Sequence, residues 1–279
     1  MTRSDADPRL ARITVYPVKS LSGLDRERAT FVAGGGLELD RAYALVDGED
    51  AYVNGKREPT VHRLRSRFDP EARTLELEAP EWEPETFDLE RRDGRDGEEP
   101  ALTAWLSEYF GYDVSLRYDG NGGFPDDTTA AGPTVVSTAT IEAVASWYPD
   151  IDPAGMRRRL RANLEIDGVP PFWEDHLFAD REHVVSFSVG DVTLEGVNPC
   201  QRCVVPSRNP DTGEETAGFR QRFIQRRQET MPAWSGGDWF DHSFRLMVNT
   251  RVAPESEVAG REVAVGDSIR LGETRARDR

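Results

Sequence analysis

Two cysteines separated by two residues are the most chemically reactive side chains in this sequence. Cys200 and Cys203 lie in residues 198–203, which read NPCQRC, and they are the two cysteines of the 279-residue chain. A disulfide between them would close a very small loop and would be unusual in a reducing cytoplasm. A thioredoxin-like redox pair normally lies between a strand and a helix, whereas the VVP that follows is a poor helix start. The sequence therefore favours neither of these interpretations.

Two other interpretations give the cysteines a role as thiolates. A structural zinc site needs four ligands, and His176 and His183 are not spaced as in any common zinc finger. A reactive or metal-ligating thiolate needs positive charge nearby, and Arg202 and Arg208 flank the pair. Thiolate sulfur is a soft ligand that does not suit magnesium or calcium. The spacing favours a reactive or ligating thiolate, with a redox pair, structural thiols and zinc as alternatives.

The charged residues indicate an acidic protein that does not bind nucleic acid. The chain has 51 Asp and Glu against 35 Lys and Arg, which gives a formal net charge of −16. All but two of the basic residues are arginine, and this composition resembles the acidic proteins of salt-loving microbes. A nucleic-acid binder needs a basic face that displaces counterions, and no signal-peptide or membrane-helix pattern is visible. We therefore expect a soluble, cytoplasmic, halophilic-type protein that binds neither nucleic acid nor a membrane.

Alternating apolar residues predict more strands than helices. Helices are predicted at residues 100–110, at 139–148 after an N-cap at Thr138, at 153–161 after Asp152, and at 219–228. A segment rich in Gly, Asp and Pro, residues 119–133, is the best linker candidate, and residues 91–99 are predicted to form a charged loop. Strands are predicted at residues 10–18, 29–33, 42–47, 61–68, 74–78, 112–118, 134–136, 163–166, 184–189, 192–197, 244–250, 262–265 and 268–271. The predicted fold class is α+β and β-rich, with barrel-like sheets.

Several short motifs, in order along nearly the whole chain, resemble one protein family. They are VYPVKS at residues 15–20, LDR at 39–41, RANL at 161–164, PCQRC at 199–203, NPDTG at 209–213 and VGDSI at 265–269. The first two resemble the N-terminal β-barrel domain that precedes MOSC domains, and the others resemble the MOSC domain itself. The resemblance implies an N-terminal barrel-like domain at residues 9–125, packed on a MOSC β-barrel domain at 126–272 with a few peripheral helices. Residues 273–279 would form a charged tail.

The same resemblance implies a molybdenum-cofactor protein similar to bacterial relatives of the mitochondrial amidoxime reducing component. In that family the second cysteine of the motif ligates molybdenum, which makes Cys203 the candidate metal ligand and catalytic residue. The family reduces N-hydroxylated small molecules such as amidoximes. The residues that would contact the cofactor are Lys19, Ser20 and Arg41 from the first domain, and Ser137, Thr138, Arg161, Asn163 and Arg202 from the second.

The electrons for such a reduction would come from a separate protein. A [2Fe–2S] cluster needs four cysteines, and the chain has two, so an iron–sulfur, haem or flavin protein is the expected donor. Two alternatives remain: a sulfur carrier with a persulfide on Cys203 and no molybdenum, or a non-catalytic cofactor-binding module. A pyridoxal-phosphate sulfurtransferase is poorly supported, because it needs a Schiff-base lysine and the chain contains only Lys19 and Lys56.

Three further predictions concern neighbours of these residues. Asp40 is expected to position Arg41 through a salt bridge, and Asp211 is expected to anchor Arg202 or, less favourably, to donate a proton. The arginine run at residues 157–159 is interpreted as an exposed helix face. One departure from the family pattern is Ala162, which replaces a proline beside Arg161.

Overall fold

The computed structural model describes residues 7–89, 100–235, 242–253 and 256–277. The α-helices in this part of the chain are α1 (Pro100–Phe110), α2 (Thr138–Ala145), α3 (Pro153–Leu160) and α4 (Phe219–Thr230). Short 3-10 helices are formed by Pro59–Arg63, Trp173–Leu177, Val205–Ser207 and Ala233–Ser235. The strands are β1 (Arg9–Val15), β2 (Leu24–Arg26), β3 (Arg28–Thr30), β4 (Tyr43–Asp47), β5 (Arg65–Asp69), β6 (Thr74–Glu78), β7 (Glu85–Asp88), β8 (Val114–Tyr118), β9 (Val135–Ser137), β10 (Leu164–Asp167), β11 (His183–Val189), β12 (Val192–Gln201), β13 (Arg245–Val252), β14 (Glu262–Ala264) and β15 (Ile269–Ala276). The predicted β-rich α+β class is confirmed.

Strand pairing joins the two ends of the chain. The largest sheet has the order β15-β11-β12-β13-β9-β10-β1-β2, and within it β9 and β10 run parallel. Strand β1, at the start of the chain, pairs antiparallel with β10, with Ile13 opposite Leu164. Strand β3 pairs in the same way with β14 near the other end, with Ala29 opposite Val263. Hydrogen-bonded strands therefore link the two sides of the predicted boundary. The division into residues 9–125 and 126–272 stays a prediction.

Three hydrophobic clusters stabilise this arrangement. One packs against the large sheet, one lies between α1 and the small sheets β4-β8 and β5-β6-β7, and one holds α2, α3 and α4 together. Leu24 and Leu39 contact both of the first two clusters, so the two β-rich parts share apolar contacts as well as strand pairs. No helix among the described residues is long and apolar enough to span a bilayer.

Helix capping agrees with one prediction and corrects another. The Asp152 carboxylate accepts a hydrogen bond from the Gly155 amide at 2.6 Å, and Pro153 begins α3, so this cap is confirmed. The N-cap of α2 is Ser137 instead of Thr138. The Ser137 Oγ accepts a hydrogen bond from the Thr140 amide at 3.0 Å, which makes Thr138 the first helical residue.

Local capping and long-range pairing also change the bounds of three strands. Residues 61–68 are not one strand, because Pro59 and the Glu58 carboxylate, which accepts from the Thr60 amide at 3.1 Å, set up a 3-10 turn before β5. Strands β12 and β15 run beyond their predicted ends, to Gln201 and Ala276. The extension of β15 brings residues 273–276 of the expected charged tail into the large sheet, opposite β11. The predicted loop at 91–99 lies outside the described residues.

A buried carboxylate behind this sheet predicts a pH-dependent stability. Glu174 is fully buried, and burial together with the neighbouring Asp175 raises its pKa from 4.5 to about 7. The folded protein then keeps a proton that the unfolded chain releases near pH 4.5, so the free energy of unfolding falls as the pH rises from 4.5 to 7. The fall should be about 3 kcal/mol.

Urea denaturation of wild type and Glu174→Gln from pH 4.5 to 8 measures this contribution. The glutamine oxygen can still accept from the Thr140 hydroxyl, which lies 2.9 Å from the Glu174 carboxylate, while its charge does not change with pH. We expect a flatter pH profile for the variant. Identical slopes would show that Glu174 does not titrate in this range.

Candidate functional site

One cavity of about 870 Å³ collects most of the candidate residues. It lies between the segment that follows β1, the segment at residues 119–134 that precedes β9, helix α3 and the end of β12. Its walls include both cysteines. They also include seven of the nine predicted site residues, namely Lys19, Ser20, Arg41, Arg161, Asn163, Arg202 and Cys203.

The cavity is positively charged within an acidic protein. Eleven Lys or Arg residues line it against five Asp or Glu, whereas the whole chain carries a net charge of −16. The buried Nε atoms of Arg202 and Arg208, both in the cavity wall, have no hydrogen-bond partner within the described part of the chain. Such a surface favours an anionic ligand that accepts hydrogen bonds.

The two cysteines are free thiols in different environments. Cys200 lies in β12, packs against the cluster of α2, α3 and α4, and accepts a hydrogen bond from the Arg202 guanidinium at 3.1 Å. Cys203 follows the end of β12, is half-buried and faces the cavity. The 3-10 turn after it, Val205–Ser207, is too short for the helix that a thioredoxin-like pair requires. No three His, Cys, Asp or Glu side chains in the described ranges converge as metal ligands.

The prediction that Asp211 anchors Arg202 is wrong. The Asp211 carboxylate accepts hydrogen bonds from the Arg158 guanidinium at 2.7 and 2.9 Å, because the turn at residues 209–213 packs over α3. This contact keeps the pKa of Asp211 below its usual value, so the residue is not a proton donor near neutral pH. Arg202 instead donates to the Leu160 carbonyl at 2.8 Å.

Three candidate residues have strained backbones. Ser20, Arg41 and Arg161 have φ angles of 77°, 52° and 58°, in the left-handed region that costs a residue with a side chain about 1 kcal/mol. Positive φ angles at non-glycine residues cluster at functional sites, where the surrounding structure holds them in place. Their grouping around one cavity is therefore evidence that it is a built site.

Arg161 and Arg41 approach the same tyrosine ring. The guanidinium carbon of Arg161 lies 4.0 Å from the centroid of the Tyr16 ring, and that of Arg41 lies 5.8 Å away. Arg41 forms the predicted salt bridge with Asp40, which is confirmed. Burial lowers the pKa of Arg161, and no carboxylate among the described residues forms an ion pair with it. An anion in the cavity would supply the missing partner.

Asn163 links three parts of the wall. Its Oδ1 accepts from the Thr134 amide at 3.1 Å and the Thr134 hydroxyl at 3.0 Å. Its Nδ2 donates to the Thr14 carbonyl at 3.1 Å and to Asp40 at 2.9 Å. The amide is thus fully engaged within the protein, and it positions the Asp40–Arg41 pair.

Ser137 and Thr138 do not line the cavity. Ser137 is fully buried at the cap of α2, and its hydroxyl bonds to Thr140 at 2.8 Å. The Thr138 hydroxyl is buried without a hydrogen-bond partner in the described part of the chain. Thr134, which precedes β9, lies in the wall instead.

Arg159 was missed because it lies in a run of three arginines. It is 5% exposed, and its guanidinium donates to the carbonyls of Pro206 at 3.0 Å and Arg208 at 2.6 Å. Arg157 pairs with Glu165 at 2.6 Å, and Arg158 stays largely exposed. The predicted exposed face is therefore wrong for Arg159, which ties the loop after Cys203 to α3.

Comparison with known proteins gives two family matches and includes a distant human relative. Residues 7–113 match the family model of the MOSC N-terminal beta barrel domain, and residues 133–270 match that of the MOSC domain. A human protein described as molybdenum cofactor sulfurase is 21% identical over 263 residues, covering 78% of this chain and 28% of that protein. The chain thus spans little more than a quarter of this relative's length.

Proposed function

Because this chain belongs to the MOSC-domain family and carries the family's N-terminal β-barrel domain, we propose that it is a molybdenum-cofactor-dependent oxidoreductase that reduces N-hydroxylated small molecules. The MOSC family is associated with the molybdenum cofactor. The observation that carries the proposal is the free thiol of Cys203 in a cavity with an excess of six positive charges.

The residues of the cavity fit this cofactor, which combines a pterin phosphate with a metal held by sulfur. A phosphate dianion needs guanidinium or ammonium partners, and Arg161, Arg41 and Lys19 all lie in the wall. The unpartnered Nε atoms of Arg202 and Arg208 offer further donors. A thiolate at Cys203 is a suitable soft ligand for the metal.

In the proposed reaction, the chain binds, orients and shields the reactants. When bound, the cofactor supplies a two-electron oxygen transfer, so that reduction of an amidoxime consumes two electrons and two protons and releases water. Cys203 would hold the metal, and Arg161 and Arg41 would fix the anionic part of the cofactor. Arg159 would keep the loop after Cys203 in place through its two carbonyl contacts. A separate protein would supply the electrons.

Wild-type protein from a host that makes the cofactor tests the proposal. We expect about one molybdenum atom per chain by mass spectrometry, and conversion of an amidoxime to the amidine with reduced methyl viologen as electron donor. Failure to bind molybdenum would contradict the proposal. Molybdenum-loaded protein that reduces no N-hydroxylated compound would instead favour a non-catalytic binding module.

A sulfur carrier is the second candidate, because the human relative is described as a molybdenum cofactor sulfurase. The free Cys203 thiol would then carry a persulfide. Treatment with cyanide releases thiocyanate from a persulfide and distinguishes this candidate. Metal-free protein with about one cyanide-labile sulfur per chain, absent in Cys203→Ala, would favour the carrier.

A further inference from the structure

Both lysines of the chain lie at the same point of the cavity wall. The sequence has 35 basic residues, and all others are arginine. Lys19 Nζ lies 3.1 Å from Asp126 Oδ1, and Lys56 Nζ lies 3.3 Å from the same oxygen atom. Two compact ammonium groups therefore converge on one carboxylate in a protein that otherwise uses guanidinium groups.

Asp126 is carried by a segment that is docked against the predicted site. The Phe124 amide donates to the Arg41 carbonyl at 2.9 Å, and the Phe124 carbonyl accepts from Lys19 at 2.8 Å. Gly123 has φ 66°, and a Cβ there would lie 2.6 Å from the Asp40 carbonyl oxygen. The backbone of this segment is thus fixed close to Asp40 and Arg41.

The Asp126 carboxylate is exposed to solvent, although its backbone is packed against the site. The Asp126 side chain is 57% exposed, whereas the Lys19 side chain is 7% exposed. Although burial would raise it, Lys19, Lys56 and Arg41 together lower the pKa of Asp126 to about 2. The carboxylate keeps its charge near neutral pH, so an anion must compete with it.

We propose that Lys56 joins Lys19 in a binding site for a phosphate-class dianion, and that Asp126 is an internal counterion which the dianion displaces. Two ammonium groups that contact one oxygen are placed to donate to two oxygens of a single tetrahedral anion. Lys19 is held by the Phe124 carbonyl and lies 4.5 Å from the centroid of the Tyr52 ring, so it is preorganised. The site follows from this geometry alone. Its assignment to the phosphate group of the pterin cofactor rests on the proposed function.

Calorimetric titration of inorganic phosphate into the cofactor-free full chain tests the site. Lys56→Met should weaken phosphate binding at least about fivefold, since one ammonium donor is lost. Asp126→Asn should tighten it at least about threefold, since the competing charge is removed. Arg57→Met is the matched control, because Arg57 is exposed, lies outside the cavity wall and pairs with Asp47. It reaches Tyr52 only at the backbone carbonyl, so the phosphate affinity should stay unchanged within about twofold.

Opposite or absent effects would overturn the proposal. If Asp126→Asn weakens phosphate binding, or Lys56→Met leaves it unchanged while both variants show wild-type thermal unfolding, then the cluster is a structural ion pair. A third titration uses protein loaded with the cofactor. Loss of phosphate binding there identifies the cofactor's phosphate as the occupant, and retained binding shows that the site takes a phosphate group other than the cofactor's. The cofactor-free titration stays decisive even if the chain never binds molybdenum.

Discussion

Replacing Cys203 by alanine is expected to lower the molybdenum content from about one atom per chain to background, whereas Cys200→Ala should retain the metal. The two thiols differ in their contacts within the protein. Cys200 packs against the cluster of α2, α3 and α4 and accepts a hydrogen bond from Arg202. Cys203 lies in the cavity wall as well, but beyond the end of β12, and no hydrogen bond to its sulfur forms within the described residues. The Cys203 thiol is thus the one that is not already engaged within the protein, which favours it as the ligand.

Mass spectrometry of both variants, produced side by side in the same host, checks this prediction. Circular dichroism melting of each shows whether the chain still folds, and both half-buried positions should tolerate alanine. Metal retained in Cys203→Ala and lost in Cys200→Ala would reverse the ligand assignment. Metal retained in both would exclude either cysteine as the essential ligand.

The second large effect is expected from a buried ion pair between helix α4 and the 3-10 helix Trp173–Leu177. Replacement of Arg227 by methionine should lower the free energy of unfolding by about 3–5 kcal/mol. The Arg227 and Asp175 side chains are 1% and 3% exposed, and their Nη2 and Oδ1 atoms are 2.5 Å apart. Arg227 also donates from Nε to the Arg245 carbonyl at 3.0 Å. Without it, the buried Asp175 carboxylate would lose the guanidinium that donates to it, and its pKa, which burial already raises, would rise further.

Arg226 provides a matched control one residue away. It lies on the exposed side of α4 and pairs with Glu229 at 3.1 Å, so Arg226→Met should cost no more than about 0.5 kcal/mol. Urea denaturation of both variants measures the difference. A double variant with Asp175→Asn should recover part of the loss, because the unpaired charge is removed. Equal, small losses for Arg227 and Arg226 would show that the buried pair contributes little.

The motifs predicted which residues approach the cavity better than what each residue does there. Lys19, Arg41, Arg161 and Cys203 were identified from motifs, and all four line the cavity. The motif beside Arg161 also led to Asn163, but its hydrogen bonds join β1, Thr134 and Asp40, which are far apart in sequence. Contacts of that kind depend on the fold and leave no trace in local spacing.

Residues within uniform stretches of the sequence have different environments in the folded protein. Residues 157–159 are three identical arginines, yet helical geometry turns them in different directions, so that Arg159 is buried and Arg158 is largely exposed. The segment at 119–133 has the composition of a linker, but its backbone bonds to Arg41 and carries Asp126 to two lysines. Amino-acid composition indicates that such a segment lacks regular structure, but it does not show whether the segment packs against the rest of the protein.

The pairing of β1 with β10 and of β3 with β14 has a consequence for attempts to divide the protein. A cut near residue 125 would leave β10 and β14 in one fragment and their partners in the other, each with open backbone amides and carbonyls. Such exposed strand edges promote aggregation. The two fragments should therefore be recovered in usable form only when they are produced together, and neither alone would enclose a complete cavity.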